Sequence, residues 1–368
     1  MKVAIVCDWL TNVGGAEKVL LAIHQMYPEA PIFTSQYSER GIDWFHDADV
    51  RTGWMRIIPA KLRRFLPILR QRYFEKLDLS EYDLVFSVTG AEAKGVKCGP
   101  NTTHICYCHV PTQYYWQMYD EYVENPGFGV LNPIVRHFFK KYVPGLKKAD
   151  FEAAQKPDYY ITISEYAKEL IKKYYKRDAI VIAPPVDIRK FKTIKEVKEK
   201  HGFVNYSRQV SWKRLDIAIK ACLRTGKELT LIGDGPEHRK LVSLADNSEF
   251  IHFLPPKRSP ELREALINAE AFIFPSVEPF GISPVEALAA GCPVIALHQG
   301  GAKDYIKEGK NGTFFEKQTV RALAETLEKY DYRNYARTTI TKSAEAYDVK
   351  QFKRKIKEFV DEKMAKKA

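Results

Sequence analysis

The sequence predicts an α/β protein of two domains, each built on a parallel sheet. Three observations carry that prediction. Short apolar runs without polar alternation recur along the chain, as strands buried on both faces do. Helical patterns lie between most of these runs, which is the alternation of a sheet covered by helices. At 368 residues there is room for two domains of ordinary size.

The first run is Val3 to Val6. A loop from Trp9 ends in Gly14-Gly15, and a helix opens at Ala16 with apolar spacing at Val19, Ala22 and Ile23. Strand, glycine turn and helix are how a Rossmann-like domain begins, although no G-x-G-x-x-G fingerprint is present. A plain tight turn is the alternative reading of the two glycines. Further strands are predicted at Pro31–Thr34, Leu84–Val88, His104–Cys108 and Tyr159–Ile163. His109 directly follows a strand, at the edge where such sheets meet ligands. The aromatics Tyr114, Tyr115, Trp116 and Tyr119 suit either core packing or stacking on sugar faces. Ser164 reads as an N-cap for a helix running to Tyr175. Pro184-Pro185 then marks a domain boundary. This places one domain at 1–186, a second at 187–346 and a terminal basic helix at 347–368.

In the second half, strands are predicted near Val204, Leu229, Ile251, Ala271–Phe274 and Val294. Ala271-Phe-Ile-Phe274 ends at Pro275-Ser276. Gly281 lets the backbone approach a ligand closely. Ser283 before Pro284 predicts an N-cap, and Glu286 three residues on completes a capping-box pattern. A helix N-terminus there suits an anion such as a diphosphate. Two carboxylates, Glu278 and Glu286, flank it. They make sense beside an anion if they accept hydrogen bonds from sugar or ribose hydroxyls. The plain alternatives are a solvated loop acid for Glu278 and a cap for Glu286.

The net charge of +12 is local. Residues 51–77 carry eight basic side chains and one acidic, residues 350–368 eight and three, and together they account for the whole excess. This argues against a diffuse nucleic-acid surface. In Lys61–Leu77, Leu62, Phe65, Leu66, Leu69 and Tyr73 share a helical stripe, and Arg63, Arg64, Arg70 and Arg72 lie largely off it. Pro67 is expected to kink or split this helix. The segment fits an anionic membrane surface, and equally an ordinary helix with a solvated basic face. No apolar stretch reaches the ~20 residues of a membrane span. The N-terminus runs straight into a strand and reads as mature sequence. Cys106-x-Cys108-His109 has no second cluster to complete a zinc site. A cytoplasmic protein is expected, peripheral on the inner face of the membrane if the basic segment binds there.

Glu278-Pro-Phe-Gly-Ile-Ser-Pro-Val-Glu286 resembles the E-x7-E signature of retaining family 4 glycosyltransferases, the group 1 glycosyltransferases of the GT-B fold. Its companions follow the family's order: Cys108-His109-x-Pro111, Arg208-x4-Lys213, and Gly233-x-Gly235-Pro236. Gln113, Ser207 and Pro255 depart from the usual Arg, Gly and Gly. The resemblance implies two Rossmann-like domains facing across a cleft, with the last helix crossing back to the N-terminal domain. It implies hexosyl transfer from a nucleotide-diphosphate sugar to a hydroxyl of a glycan or lipid-linked acceptor. The CHVPTQYYW block is similar to mannosyltransferases, which makes GDP-mannose the first donor and UDP-sugars the second. By resemblance, Arg208 and Lys213 stabilise the leaving diphosphate, Glu278 holds sugar hydroxyls and Glu286 ribose. His109 touches the sugar near C1. Backbone of Phe280, Gly281, Ile282 and Ser283 holds sugar and phosphate, with Gly14 and Gly15 nearby. Front-face attack assigns neither glutamate as nucleophile. No metal or other cofactor is expected, because Asp47-Ala-Asp49 lies in a polar loop rather than beside a strand. A GT-B epimerase and a catalytically silent sugar-nucleotide binder are the alternatives.

Overall fold

The computed structural model describes residues 1–58, 66–124, 132–192, 197 and 199–366. The chain divides into two units, one of residues 1–184 with 353–368 and one of residues 185–352.

In the first unit, the apolar runs form β1 (Val3–Cys7), β2 (Ile32–Thr34), β4 (Leu84–Thr89), β5 (Thr103–Cys108), β6 (Tyr159–Thr162) and β7 (Ile180–Val181). The edge strand β3 (Val50–Thr52) was not foreseen, since three residues with Arg51 in the middle have no apolar signature. All pair in parallel in the order β3-β2-β1-β4-β5-β6-β7. β4 and β5 are buried along their full length, as strands covered on both faces must be. Between them lie α1 (Gly15–His24), α2 (Pro67–Lys76), α3 (Tyr119–Glu124), α4 (Asn132–Ala153) and α5 (Glu165–Tyr175). Ser164 caps α5 as expected, its Oγ accepting from the Ala167 N–H at 3.0 Å.

The basic segment differs from its prediction. Arg63 and Arg64 lie outside the described residues. Pro67 does not kink a helix. It stands at the first position of α2, where its missing N–H has no partner to lose. Arg70 is no surface charge either. It is buried against Glu92 in a two-pronged ion pair at 2.9 and 3.0 Å.

The second unit repeats the plan with β8 (Phe203–Tyr206), β9 (Leu229–Ile232), β10 (Ile251–Leu254), β11 (Ala271–Phe274), β12 (Val294–Leu297) and β13 (Gly312–Phe315). Their order is β10-β9-β8-β11-β12-β13, again all parallel. The helices α6 (Leu215–Thr225), α7 (His238–Ala245), α8 (Ser259–Asn268), α9 (Ile282–Ala290), α10 (Ala302–Tyr305), α11 (Val320–Lys329) and α12 (Arg337–Ala344) pack around it. The final helix α13 (Val349–Ala365) starts in the second unit and from Lys353 onward belongs to the first. Lys353 Nζ donates to Gln25 Oε1 at 2.8 Å, and Phe359 meets Tyr159 edge to face.

In both sheets the first strand of the unit is flanked by its second and fourth. Chain connections leave in opposite directions there. In such sheets ligands bind in the crevice beyond the strand ends at that reversal. This singles out the ends of β8 and β11 in the second unit, and of β1 and β4 in the first.

Candidate active site

At the first of these points, β8 ends in Tyr206 and runs into Ser207-Arg208. Gly233 has φ +138°, and a Cβ there would collide with the Ser207 carbonyl, so a side chain at 233 would push the two loops apart. Gln209 pins the loop further. Its N–H donates to the Asp234 carbonyl at 2.8 Å, its Nε2 donates to the Gly233 carbonyl at 3.0 Å, and its Oε1 meets His238 Nδ1 at 2.6 Å. Arg208 is left exposed on a fixed backbone, with no ion pair among the described residues. A short turn then carries Lys213 back toward β11.

β11 ends at Phe274, and residues 275–281 form the loop to α9. Gly301 N–H donates to the Glu278 carbonyl at 2.8 Å, and the Tyr305 hydroxyl donates to the Phe280 carbonyl at 2.8 Å. Gly281 has φ +91° and would clash with the Phe274 ring if it bore a side chain. That glycine, rather than Ser283, is the N-cap of α9, and Ser283 is its second residue. The expected capping box is therefore absent. The bend made at Gly281 starts the helix two residues early, and Glu286 falls into the second turn. First-turn N–H groups still have no intrahelical acceptor.

Both carboxylates have partners within the chain. Glu278 Oε1 accepts from Lys213 Nζ at 2.5 Å and from Ser276 Oγ at 2.8 Å. The Lys213 and Glu278 side chains remain 17% and 19% exposed. Glu286 is buried, and Oε2 accepts from the hydroxyl of Tyr206. Burial, reinforced by Glu286, raises the Tyr206 phenol well above its ordinary range, so it stays protonated and donates. Tyr206 was not anticipated. It lies 80 residues from Glu286 in sequence, and nothing in its spacing marks it.

In the first unit, the reversal point holds a cavity of about 250 Å³ lined by Asp8, Trp9, Glu17, His109, Gln113 and Tyr114, among others. Asp8 accepts from Thr89 Oγ1 at 2.8 Å and from the N–H groups of Gly90 at 2.9 Å and Ala93 at 2.8 Å, which ties the end of β1 to the loop after β4. Burial, then Glu92, pushes its carboxyl above the usual range. The His109 Nε2 is buried with no hydrogen-bond partner among the described residues, and burial pushes the ring down to about 4, so it is neutral near pH 7. Gly14 and Gly15 stand at the start of α1. A Cβ on Gly14 would come within 2.7 Å of Glu17 Oε2. Glu17, in the first turn, thus brings the chain's own carboxylate to that N-terminus, where it competes with any phosphate. Tyr114 faces the cavity and donates to Glu92 Oε1 at 2.9 Å. Tyr115 is core, Tyr119 stacks on Phe139, and Trp116 Nε1 donates to Asp150 Oδ2 at 2.7 Å. Asp49, expected away from any strand, directly precedes β3 and is paired with Arg51 at 2.6 Å, and among the described residues no group of three His, Cys, Asp or Glu is placed to hold a metal ion.

Comparison with known proteins bears on this arrangement. The family model described as glycosyl transferases group 1 matches residues 187–345. The whole chain is similar in fold to HepE of Anabaena, whose crystal structure is in complex with UDP-glucose. The TM-score is 0.69 at 17% identity, covering 98% of this chain and 100% of that one. The fold is therefore GT-B. The uncharacterized glycosyltransferase MJ1178 of Methanocaldococcus jannaschii is 27% identical over 60% of this chain and 60% of its own length. The putative colanic acid biosynthesis glycosyltransferase WcaL of Escherichia coli is 25% identical over 53% of this chain and 50% of its own length. The chain thus spans half to three fifths of these curated relatives. The residues matched by that model include Arg208, Lys213, Glu278 and Glu286. His109 and the cavity around it lie outside the matched residues.

Proposed function

We propose that this chain is a retaining glycosyltransferase that moves a hexose from a nucleotide-diphosphate sugar to a hydroxyl of a glycan or lipid-linked acceptor. The observation that carries this is the gathering of Lys213, Glu278, the α9 N-terminus and Glu286 beyond β8 and β11. Cations and backbone N–H groups there suit a diphosphate, and the carboxylates suit hydroxyls. In this reading Arg208 and Lys213 hold the diphosphate and stabilise the charge it gains as its bond to C1 breaks. The backbone of Phe280, Gly281, Ile282 and Ser283 meets sugar and phosphate. Glu278 accepts from sugar hydroxyls and Glu286 from ribose. The acceptor oxygen forms the new bond to C1, and its proton passes to the departing diphosphate oxygen. No metal is required, and neither glutamate forms a covalent intermediate. In this reading the cavity of the N-terminal unit receives the acceptor, Gly14 and Gly15 are assigned to the donor phosphate and the acceptor, and His109 to the transferred sugar near its reacting carbon.

HepE's complex with UDP-glucose makes a UDP-sugar the first donor to test, beside GDP-mannose. Thermal melting with UDP, GDP, UDP-glucose, UDP-N-acetylglucosamine and GDP-mannose, each with and without EDTA, tests the site, because binding to the native state raises Tm by mass action. A shift confined to one base, unchanged by EDTA and accompanied by transfer or slow donor hydrolysis, supports the reading. A selective shift without turnover would make the chain a sugar-nucleotide-binding protein instead.

Among the described residues no helix is long and apolar enough to cross a membrane. A peripheral site at 51–77 is part of the proposal. It is supported by exposed Trp54, Ile57 and Ile68 alongside Arg51, Arg56 and Arg72. Sedimentation with anionic vesicles, unchanged on replacing Arg56, Arg63, Arg64 and Arg72 by Ser, would remove it.

A further inference from the structure

Tyr206 is the last residue of β8, and its ring packs edge to face on Phe272 with centroids 5.5 Å apart. Its hydroxyl donates to Glu286 Oε2 and lies 3.4 Å from the Ser283 carbonyl. The Tyr206 hydroxyl therefore links sheet and helix at the candidate ribose position, through Glu286 and the Ser283 carbonyl, across about 80 residues of sequence.

A glutamate on a helix has three rotatable bonds. Fixing them costs up to about 1.5–2 kcal/mol of side-chain entropy when a ligand must do it alone. A phenol anchored through its ring removes that cost before the ligand arrives. A carboxylate offers roughly four lone-pair positions. The phenol holds one of the two oxygens, Oε2, and so fixes the plane in which the carboxylate meets a vicinal diol. We infer that Tyr206 is a positioning residue: it orients the Glu286 carboxylate to recognise a vicinal diol, the ribose of the donor nucleotide. This rests on the reading that Glu286 takes ribose hydroxyls and adds to it the residue that makes the contact selective. The opposite possibility is concrete, that the phenol occupies a hydroxyl's place and obstructs the diol.

The test measures calorimetric Kd values of UDP and GDP, each beside its 2′,3′-dideoxy counterpart, for the native chain, Glu286→Ala and Tyr206→Phe. The ratio of dideoxy to ribose Kd reports the diol contact. For the nucleotide that binds, that ratio is expected at about tenfold or more in the native chain, the cost of leaving a buried acceptor unmet. Glu286→Ala should bring it near one. Tyr206→Phe keeps the ring on Phe272. It should cut the ratio at least about threefold while the dideoxy Kd and Tm stay nearly unchanged. A ratio that collapses in Glu286→Ala but is untouched in Tyr206→Phe would overturn the role of Tyr206 and leave the Glu286 reading standing. Tighter ribose binding in Tyr206→Phe would overturn it as well, by showing obstruction. A ratio unaffected by Glu286→Ala would remove both.

Discussion

Each unit contains lysine–carboxylate chemistry, and the two use it oppositely. In the first unit, Lys94 meets Asp150 at 2.6 Å with side chains 1% and 3% exposed, and Arg70 meets Glu92 under equal cover. In the second, Lys213 meets Glu278 at 2.5 Å on a loop that keeps both partly open. The pair distances are nearly the same. What differs is access and the remaining partners. Asp150 also accepts from Thr112 Oγ1, Trp116 Nε1 and the Tyr175 hydroxyl, so its oxygens are used up inside the protein. Sealed pairs of this kind are strongly destabilised when one partner is lost, because the other is left charged in a low-dielectric interior. A pair at the surface of a ligand site can exchange partners. Burial, more than the charges themselves, separates scaffold from site.

The largest effect that comparison predicts is on stability. Lys94→Met should cost about 3–5 kcal/mol, the penalty for stranding Asp150, and lower the denaturant midpoint at unchanged slope. A loss under about 1 kcal/mol, the range of exposed pairs, would break the contrast.

The second effect is on pH dependence, and it comes from two histidines, His104 in the sealed interior and His109 on the wall of the cavity. Burial pushes His104 down to about 3 and His109 to about 4. In the unfolded chain both titrate near 6.5. Below that value the unfolded state binds protons that the folded state refuses, so stability falls as pH drops from 6.5 toward 4. Each histidine adds a slope of up to about 1.4 kcal/mol per pH unit. His104→Asn should flatten that slope in urea titrations at pH 4.5–6.5. An unchanged slope would mean that His104 is not held neutral.

How much of this was legible beforehand follows the same division. The parallel sheets were legible, because β11 is apolar at every position and β4 at four of six, as strands covered on both faces require. The starts of α1 and α5 were legible from glycine and serine punctuation. Arg70 was misread, since a helical wheel knows where a side chain points but not that Glu92 waits there. Ser283 was misread as a cap because sequence spacing cannot show that Gly281, at positive φ, has already made the bend. Lys213 and Glu278 were singled out separately, each by its own motif. Their contact, and that of Tyr206 with Glu286, joins positions 65 and 80 residues apart. Only the fold brings such positions together.

On the open side of the comparison, Lys213→Ala should leave stability within about 1 kcal/mol of native, because the pair is part-exposed and screened. It should lower kcat for sugar transfer by about 10²-fold or more, the scale of removing a preorganised charge from a leaving group. Glu278→Ala should abolish transfer while nucleotide-diphosphate affinity is largely kept. If Lys213→Ala instead unfolded the second unit and left the activity of the folded fraction unchanged, this pair would belong with the sealed ones.

The smallest effect isolates the hinge between the two behaviours. Ser276 is buried, yet its hydroxyl donates to the same Glu278 oxygen that Lys213 holds. Removing it strands no charge, since Lys213 still partners the carboxylate, so Ser276→Ala should shift Tm by only a degree or two. It should still loosen the angle at which Glu278 is presented, and one neutral hydrogen bond is worth about 0.5–1.5 kcal/mol. The expected result is a loss of roughly threefold to tenfold in kcat/KM, with nucleotide-diphosphate Kd unchanged. A drop in kcat/KM as deep as that of Glu278→Ala would mean that Ser276, not Lys213, sets the working position of the glutamate. No drop at all would mean that the lysine alone holds it.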